Sequence, residues 1–132
     1  MPSLIQGMTF AAFVAAGTTA TAGPSNNIFG IWQRGDGAAR VRMAPCGDKI
    51  CATNIWIKDA ETQREHVGDK LVFKIKPNGN DWTGSAYDAQ RGLNISAKLI
   101  PAGNTMVSTG CILGGLICHS TQWARIERDA NR

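Results

Sequence analysis

Hydrophobic and polar positions alternate with a period of two through most of the chain. In "KLVFKIK" (70–76), Leu71, Phe73 and Ile75 fall on one face and Val72, Lys74 and Lys76 on the other; in "LNISAKLI" (93–100), Leu93, Ile95, Ala97 and Leu99 oppose Asn94, Ser96 and Lys98. Strands with one buried face produce this pattern. The same reading extends to "FGIWQR" (29–34), "ARVRMA" (39–44), "CATNIWIK" (51–58), "WTGSAYD" (82–88), "TMVSTGC" (105–111) and "CHSTQWARI" (118–126). Gly, Asn, Asp or Pro separates most of these segments, and none keeps a helical period over ten residues. The expectation is all-β: eight short antiparallel strands closed into an up-and-down barrel, because closure leaves no exposed edge. An open sandwich is the alternative.

Two segments break the alternation. "DAETQREHVG" (59–68) is charged and without strand pattern, which predicts a solvated loop; long loops on rigid scaffolds also carry binding, so a flap over a barrel mouth is its functional reading. The first 22 residues hold no charged side chain, contain an apolar stretch from Met8 to Ala16 and close on Ala20-Thr21-Ala22. That is the pattern of a secretory signal peptide with an A-x-A cleavage site, and its apolar run is shorter than the ~20 residues a membrane span needs. Residues 23–132 are then a single mature domain of 110 residues, exported to the periplasm or medium.

Export changes the reading of the four cysteines. Cys46 and Cys51 bracket "GDKI", and Cys111 and Cys118 bracket "ILGGLI". An even count in a small exported domain predicts disulfides. A zinc site needs C-x₂₋₄-C pairs with closely spaced Cys or His partners: Cys46 to Cys51 fits loosely, Cys111 to Cys118 does not, and His66 and His119 lack a paired histidine; a thioredoxin-like centre needs C-x-x-C, which is absent, so no metal and no cofactor is expected. Four cysteines allow three pairings, and the hairpin reading places the members of each local pair on facing strand ends, favouring Cys46–Cys51 and Cys111–Cys118. Loops this short stabilise by about 2 to 2.5 kcal/mol each in the chain-entropy picture.

The formal net charge of +4 comes from Lys and Arg scattered along the strands, such as Arg40, Arg42, Lys74 and Lys76, without a run. Solvated strand faces explain it, and it marks neither a nucleic-acid partner nor a basic membrane patch.

Candidate chemistry is sparse. There is no G-x-S-x-G, and His119, in a strand, and His66, in the charged loop, lack a catalytic constellation. Aspartates beside glycine or asparagine, such as Asp36 and Asp48, read as turn formers, as does Asp88 before "AQRG". Trp32, Trp56, Trp82 and Trp123 all fall in strands; three of the four are expected to be packing residues. Trp56, Phe73, Trp82 and Tyr87 are the candidate ligand contacts. The interior set, Met43, Ile55, Phe73, Ile75, Leu93, Ile95 and Leu99, is apolar, so a ligand in the lumen would be largely apolar. With strands this short, side chains are expected to fill the lumen.

Two sets of residues resemble known proteins. "GIW" in the first strand and "WARI" in the last are similar to the closure of lipocalin-type barrels, which implies that Gly30 and Trp32 shape the base and that Arg125 packs across the tryptophan, a cation–π contact. The order of "GIW", "VRMAPCGDKICATNIWIKD", "WTGSAYDAQRGLNISAKL", "STGC" and "TQWARI" resembles a family of small exported bacterial proteins of unassigned activity with a lipocalin-like, calycin-type barrel. The chain departs from that family at Ala52, where glycine usually follows the second cysteine, at Asn94 and Ile95, where an aromatic residue is commoner, and in a shorter loop after Asp59. Together these readings give a non-catalytic binding protein for a small apolar ligand. The alternative is a protein-interaction module, such as an inhibitor of a secreted hydrolase, with "GPSNNIFG" (23–30) as the inserting segment; an enzyme ranks third.

Overall fold

A computed structural model describes residues 27–61 and 64–127; the predicted signal peptide lies outside them. Eight strands run β1 Gly30–Arg34, β2 Ala39–Cys46, β3 Lys49–Ile57, β4 Lys70–Asn78, β5 Asp81–Asp88, β6 Leu93–Ala102, β7 Thr105–Ile112 and β8 Ile117–Glu127. Each pairs antiparallel with the next, and β1 pairs with β8, so the sheet is a closed up-and-down barrel.

The strands outrun their sequence pattern. The "GDKI" bend shrinks to Gly47-Asp48, because Lys49 and Ile50 pair with Cys46 and Pro45. Pro77 pairs with Trp82 and Pro101 with Met106, so both prolines sit inside strand ends, where a missing N–H is tolerated. Tight hairpins make a taller barrel.

Alternation assigns the inner face: Trp32 on β1, Val41 and Met43 on β2, Ala52 on β3, Phe73 on β4, Ala86 on β5, Ala97 and Leu99 on β6 and Met106 on β7 form one buried cluster. A bulge shifts the β2–β3 register between Arg40 and Val41, so that Arg40 faces Trp56 while Val41 faces Asn54. Ile55 is the extra residue, and a bulge of this kind re-aims the side chains beyond it. Ile55 therefore leaves the expected interior set, and Asn54 takes the inward position. Leu93 leaves it too, exposed at the end of β6, while Ile75 and Ile95 pack against the core as expected.

Gly84, inside "WTGSAYD", has a purely steric reason to be glycine. A Cβ there would lie 2.1 Å from the Lys74 carbonyl oxygen on β4. Only a residue without Cβ lets the two strands approach this closely.

One end of the barrel is shut. Ile28 and Trp32 are both 0% exposed, and the Trp32 Nε1–H donates to the Ile28 carbonyl at 3.0 Å. The Arg125 guanidinium lies 4.2 Å from the centre of the Trp32 ring and donates to the carbonyls of Phe29 and of Asn27, the latter at 2.6 Å. The roles implied for Trp32 and Arg125 are thus realised, and Gly30 is buried beside them at the start of β1. Asn27–Phe29, part of the segment expected to insert into an enzyme cleft, instead closes the chain's own barrel.

A candidate ligand cavity

Above this floor the lumen is open, not filled. A cavity of about 730 Å³ is lined at depth by Trp32, Val41, Met43, Phe73, Leu99 and Met106. Its existence follows from side-chain volume. At mid-height the inward positions carry Ala52, Ala86, Ala97, Gly84, Gly110 and Ser108, which are too small to meet across an eight-stranded barrel. Strand length alone predicts a filled core, and the small side chains at these inward positions overturn that expectation.

Trp123 and Ser108 add one polar feature to the wall. Their contact is a hydrogen bond from Trp123 Nε1 to Ser108 Oγ at 2.9 Å, which satisfies the indole N–H and fixes the ring against the core. Both residues line the cavity, as do Asn54 and Thr121. Trp123 was absent from the candidate ligand contacts, although a signal for it was present: once Arg125 is assigned to the inside, period two puts Trp123, Thr121 and His119 on the same face. His119 is exposed, yet it borders the mouth rather than pointing away from it.

The rim is built by the turns and loops at the open end. Asp36 accepts the Ala38 N–H at 2.9 Å as a turn former and takes Arg34 Nε at 3.0 Å. Arg34 also reaches Glu65 Oε1 at 2.7 Å, which ties the 59–68 segment to β1. The Glu65 carboxylate holds the Arg34 guanidinium above its ordinary range, and hydrogen bonds from Arg34 and then from the Ala38 N–H hold the Asp36 carboxyl below its own. Asn54 Nδ2 donates to the His66 carbonyl at 3.2 Å and the Gly68 N–H donates to the Asn54 carbonyl at 2.8 Å. The later part of the charged segment is thus hydrogen-bonded to β3 at the rim of the cavity.

Across the mouth, Asp88 is buried and does what its sequence context predicts. Its Oδ1 accepts the N–H groups of Gln90 and Arg91 at 3.0 and 3.2 Å, and its Oδ2 takes Arg91 Nη1 at 2.9 Å. Gln90 Oε1 in turn accepts the Lys70 N–H at 3.1 Å, locking the β5–β6 turn to β4.

Of the four residues chosen as ligand contacts, the structure brings only Phe73 to the cavity. Trp56 stands on the outer face beneath Arg40, whose guanidinium is 5.0 Å from the ring centre. Trp82 packs against the core beside Pro77, at the closed end. Tyr87 is exposed between Val72 and Asn94 on the outer face. Both local disulfides form: Cys46–Cys51 at the closed end and Cys111–Cys118 at the open end. Such bonds persist in oxidising compartments, which is consistent with a protein working outside the cytoplasm. No helix among the described residues is long and apolar enough to cross a membrane.

Comparison with curated proteins and with solved structures gives no match. Residues 30–125 match the family described as "Uncharacterized protein conserved in bacteria (DUF2147)". That span runs from the Gly30 of the first strand to the Arg125 that covers Trp32, so it takes in the strands from the first to the last. With the match covering most of the chain and the barrel closed by the Gly-x-Trp and arginine pair of lipocalin-like proteins, the chain belongs to the bacterial DUF2147 family.

Proposed function

We propose that this protein is an exported, non-catalytic carrier that holds one small, largely apolar ligand in the barrel, with the ligand's polar end at the rim. The cavity carries the reading: about 730 Å³ falls within the roughly 300 to 1,000 Å³ usual for ligand pockets, and its deep walls are Trp, Met, Phe, Leu and Val. Groups able to satisfy a polar end stand above those walls, among them Asn54, Gln90 and His119. The rim carboxylates Asp36, Glu65 and Asp88 are occupied by Arg34 and Arg91, an arrangement suited to a fixed entrance.

Native mass spectrometry of the protein taken from its own source, before and after unfolding, tests the reading. A reproducible small-molecule adduct lost on unfolding identifies the cargo. A clean mass, together with no binding of an apolar naphthylamine fluorophore by the folded barrel, would sink the carrier reading.

A further inference from the structure

The β7–β8 hairpin has a tip unlike any other turn of the barrel. Its connection is the 3-10 turn Leu113–Gly115, and Leu113, Leu116 and Ile117 are 66, 85 and 53% exposed. Leu113 sits at φ +53°, in the left-handed region that a branched aliphatic residue rarely occupies. The chain thus holds a strained leucine in order to place its side chain in water. Cys111–Cys118 clamps the base of the loop, so these aliphatic groups cannot fold back onto the barrel as a flexible loop would.

The surroundings match the tip. From Leu99 to Ala124 the sequence contains no Asp, Glu, Lys or Arg, and His119 is its sole titratable side chain apart from the bonded cysteines. Elsewhere the outer faces carry Arg40 and Arg42 on β2, Lys74 and Lys76 on β4 and Lys98 on β6, within a chain of net charge +4. The tip stands at the open end, since His119 and Ser120 next to it line the cavity.

We infer that the Leu113–Ile117 tip anchors the open end of the barrel to a lipid bilayer. Two features choose this occupant. Three aliphatic side chains on a narrow hairpin fall far short of the ~800 Å² that each partner contributes to a stable protein–protein interface. They suit the interfacial zone of a bilayer, which buries a few aliphatic groups at a time, and the absence of Asp, Glu, Lys and Arg from residues 99–124 leaves no charge on this hairpin to be drawn out of water with them. The anchor turns the mouth towards the membrane. Docking stands independently of what the cavity holds; only the further step, in which an apolar cargo passes directly between bilayer and lumen, rests on the carrier reading.

Co-sedimentation of the disulfide-intact protein with phosphatidylglycerol–phosphatidylcholine vesicles tests the anchor. Leu116→Ser is the informative variant, because a side chain this exposed has little packing to lose; Ile126→Ser, an exposed aliphatic position at the closed end, is its control. The vesicle-bound fraction is expected to fall at least fivefold for Leu116→Ser and to stay unchanged for Ile126→Ser. Vesicles of phosphatidylcholine alone are expected to show the same fall for Leu116→Ser, because residues 99–124 carry no Asp, Glu, Lys or Arg. Equal sedimentation of the native protein and Leu116→Ser, or of both single-site variants, overturns the inference. So does a shift from dimer to monomer in light scattering caused by Leu116→Ser, which assigns the tip to a second copy of the chain. A barrel that takes up no apolar fluorophore but still loses vesicle binding through Leu116→Ser supports the anchor while removing the carrier reading.

Discussion

The two ends of this barrel differ in their connections, two-residue turns at the closed end and longer loops at the open end, and in what each does with its polar groups. At the closed end they are turned inward and consumed: the Trp32 N–H goes to the Ile28 carbonyl, and Arg125 binds the carbonyls of Asn27 and Phe29 while covering the Trp32 ring. At the open end they pair with one another around a void, Arg34 with Asp36 and Glu65, Arg91 with Asp88. A disulfide braces each end, yet Cys46–Cys51 backs onto the core whereas Cys111–Cys118 supports an exposed aliphatic tip. The closed end is sealed by buried contacts, and the open end leaves its side chains around a void and in water.

The largest effects should come from breaking the closed end. Trp32→Ala deletes a fully buried indole and the platform beneath Arg125, and is expected to cost about 3 to 5 kcal/mol in chemical denaturation. Arg125→Ala should cost about 1 to 3 kcal/mol, because the carbonyls of Asn27 and Phe29 lose a charged donor. Arg125→Lys should recover part of that loss, since it keeps the charge over Trp32 but not the fork that reaches both carbonyls. If Arg125→Ala left stability unchanged, the contrast between the two ends would be wrong at its root.

Next in size is the comparison of the disulfides. Replacing either cysteine pair by serine should cost about 2 to 2.5 kcal/mol, as both close short loops. The stability losses are expected to be alike and the functional ones different. Removal of Cys111–Cys118 should abolish vesicle sedimentation, and removal of Cys46–Cys51 should leave it intact.

A smaller change in stability, with a large change in binding, tests the void. Ala52→Phe projects a ring into the cavity from β3 and should alter stability by no more than about 1 to 2 kcal/mol, since space is already present. Uptake of an apolar fluorophore should fall at least tenfold. Trp56→Ala, on the outer wall beneath Arg40, should leave uptake unchanged.

How far these contrasts could be read in advance depended on whether they are local. Period-two alternation displays strands directly, and Leu71, Phe73 and Ile75 face inward as their spacing says. The disulfide pairs and the turn role of Asp88 were equally legible, because each is settled within a few residues. The cavity was not, although Ala52, Ala86, Ala97 and Gly110 are plain in the sequence. Whether small residues stack at one height depends on the register of strands far apart in the chain. Trp56 shows the same limit: without the extra residue at Ile55 it would stand on Asn54's face, and one bulge turned it outward.

The smallest expected effect lies at the rim and concerns Arg34. Its contacts hold the Asp36 carboxyl below its ordinary value of 3.8, so the folded state binds that proton less readily than the unfolded chain does. The stabilisation is therefore present above the ordinary carboxylate range and is lost as the pH falls through the depressed value. Arg34 is shifted the opposite way, and its contribution would be lost only in strong alkali. Asp36 is largely exposed, and solvent screening keeps the gain small. Asp36→Asn should lower the melting temperature by about 1 °C at neutral pH, and the difference should vanish once the pH falls below the depressed value of the folded state. Glu65→Gln offers the sharper readout, because Glu65 links the 59–68 segment to Arg34: amide exchange from His66 to Asp69 should quicken while exchange across β1 and β8 at the closed end stays slow. Equal acceleration at both ends would show that the rim is mechanically continuous with the floor, and the division of labour between them would have to be given up.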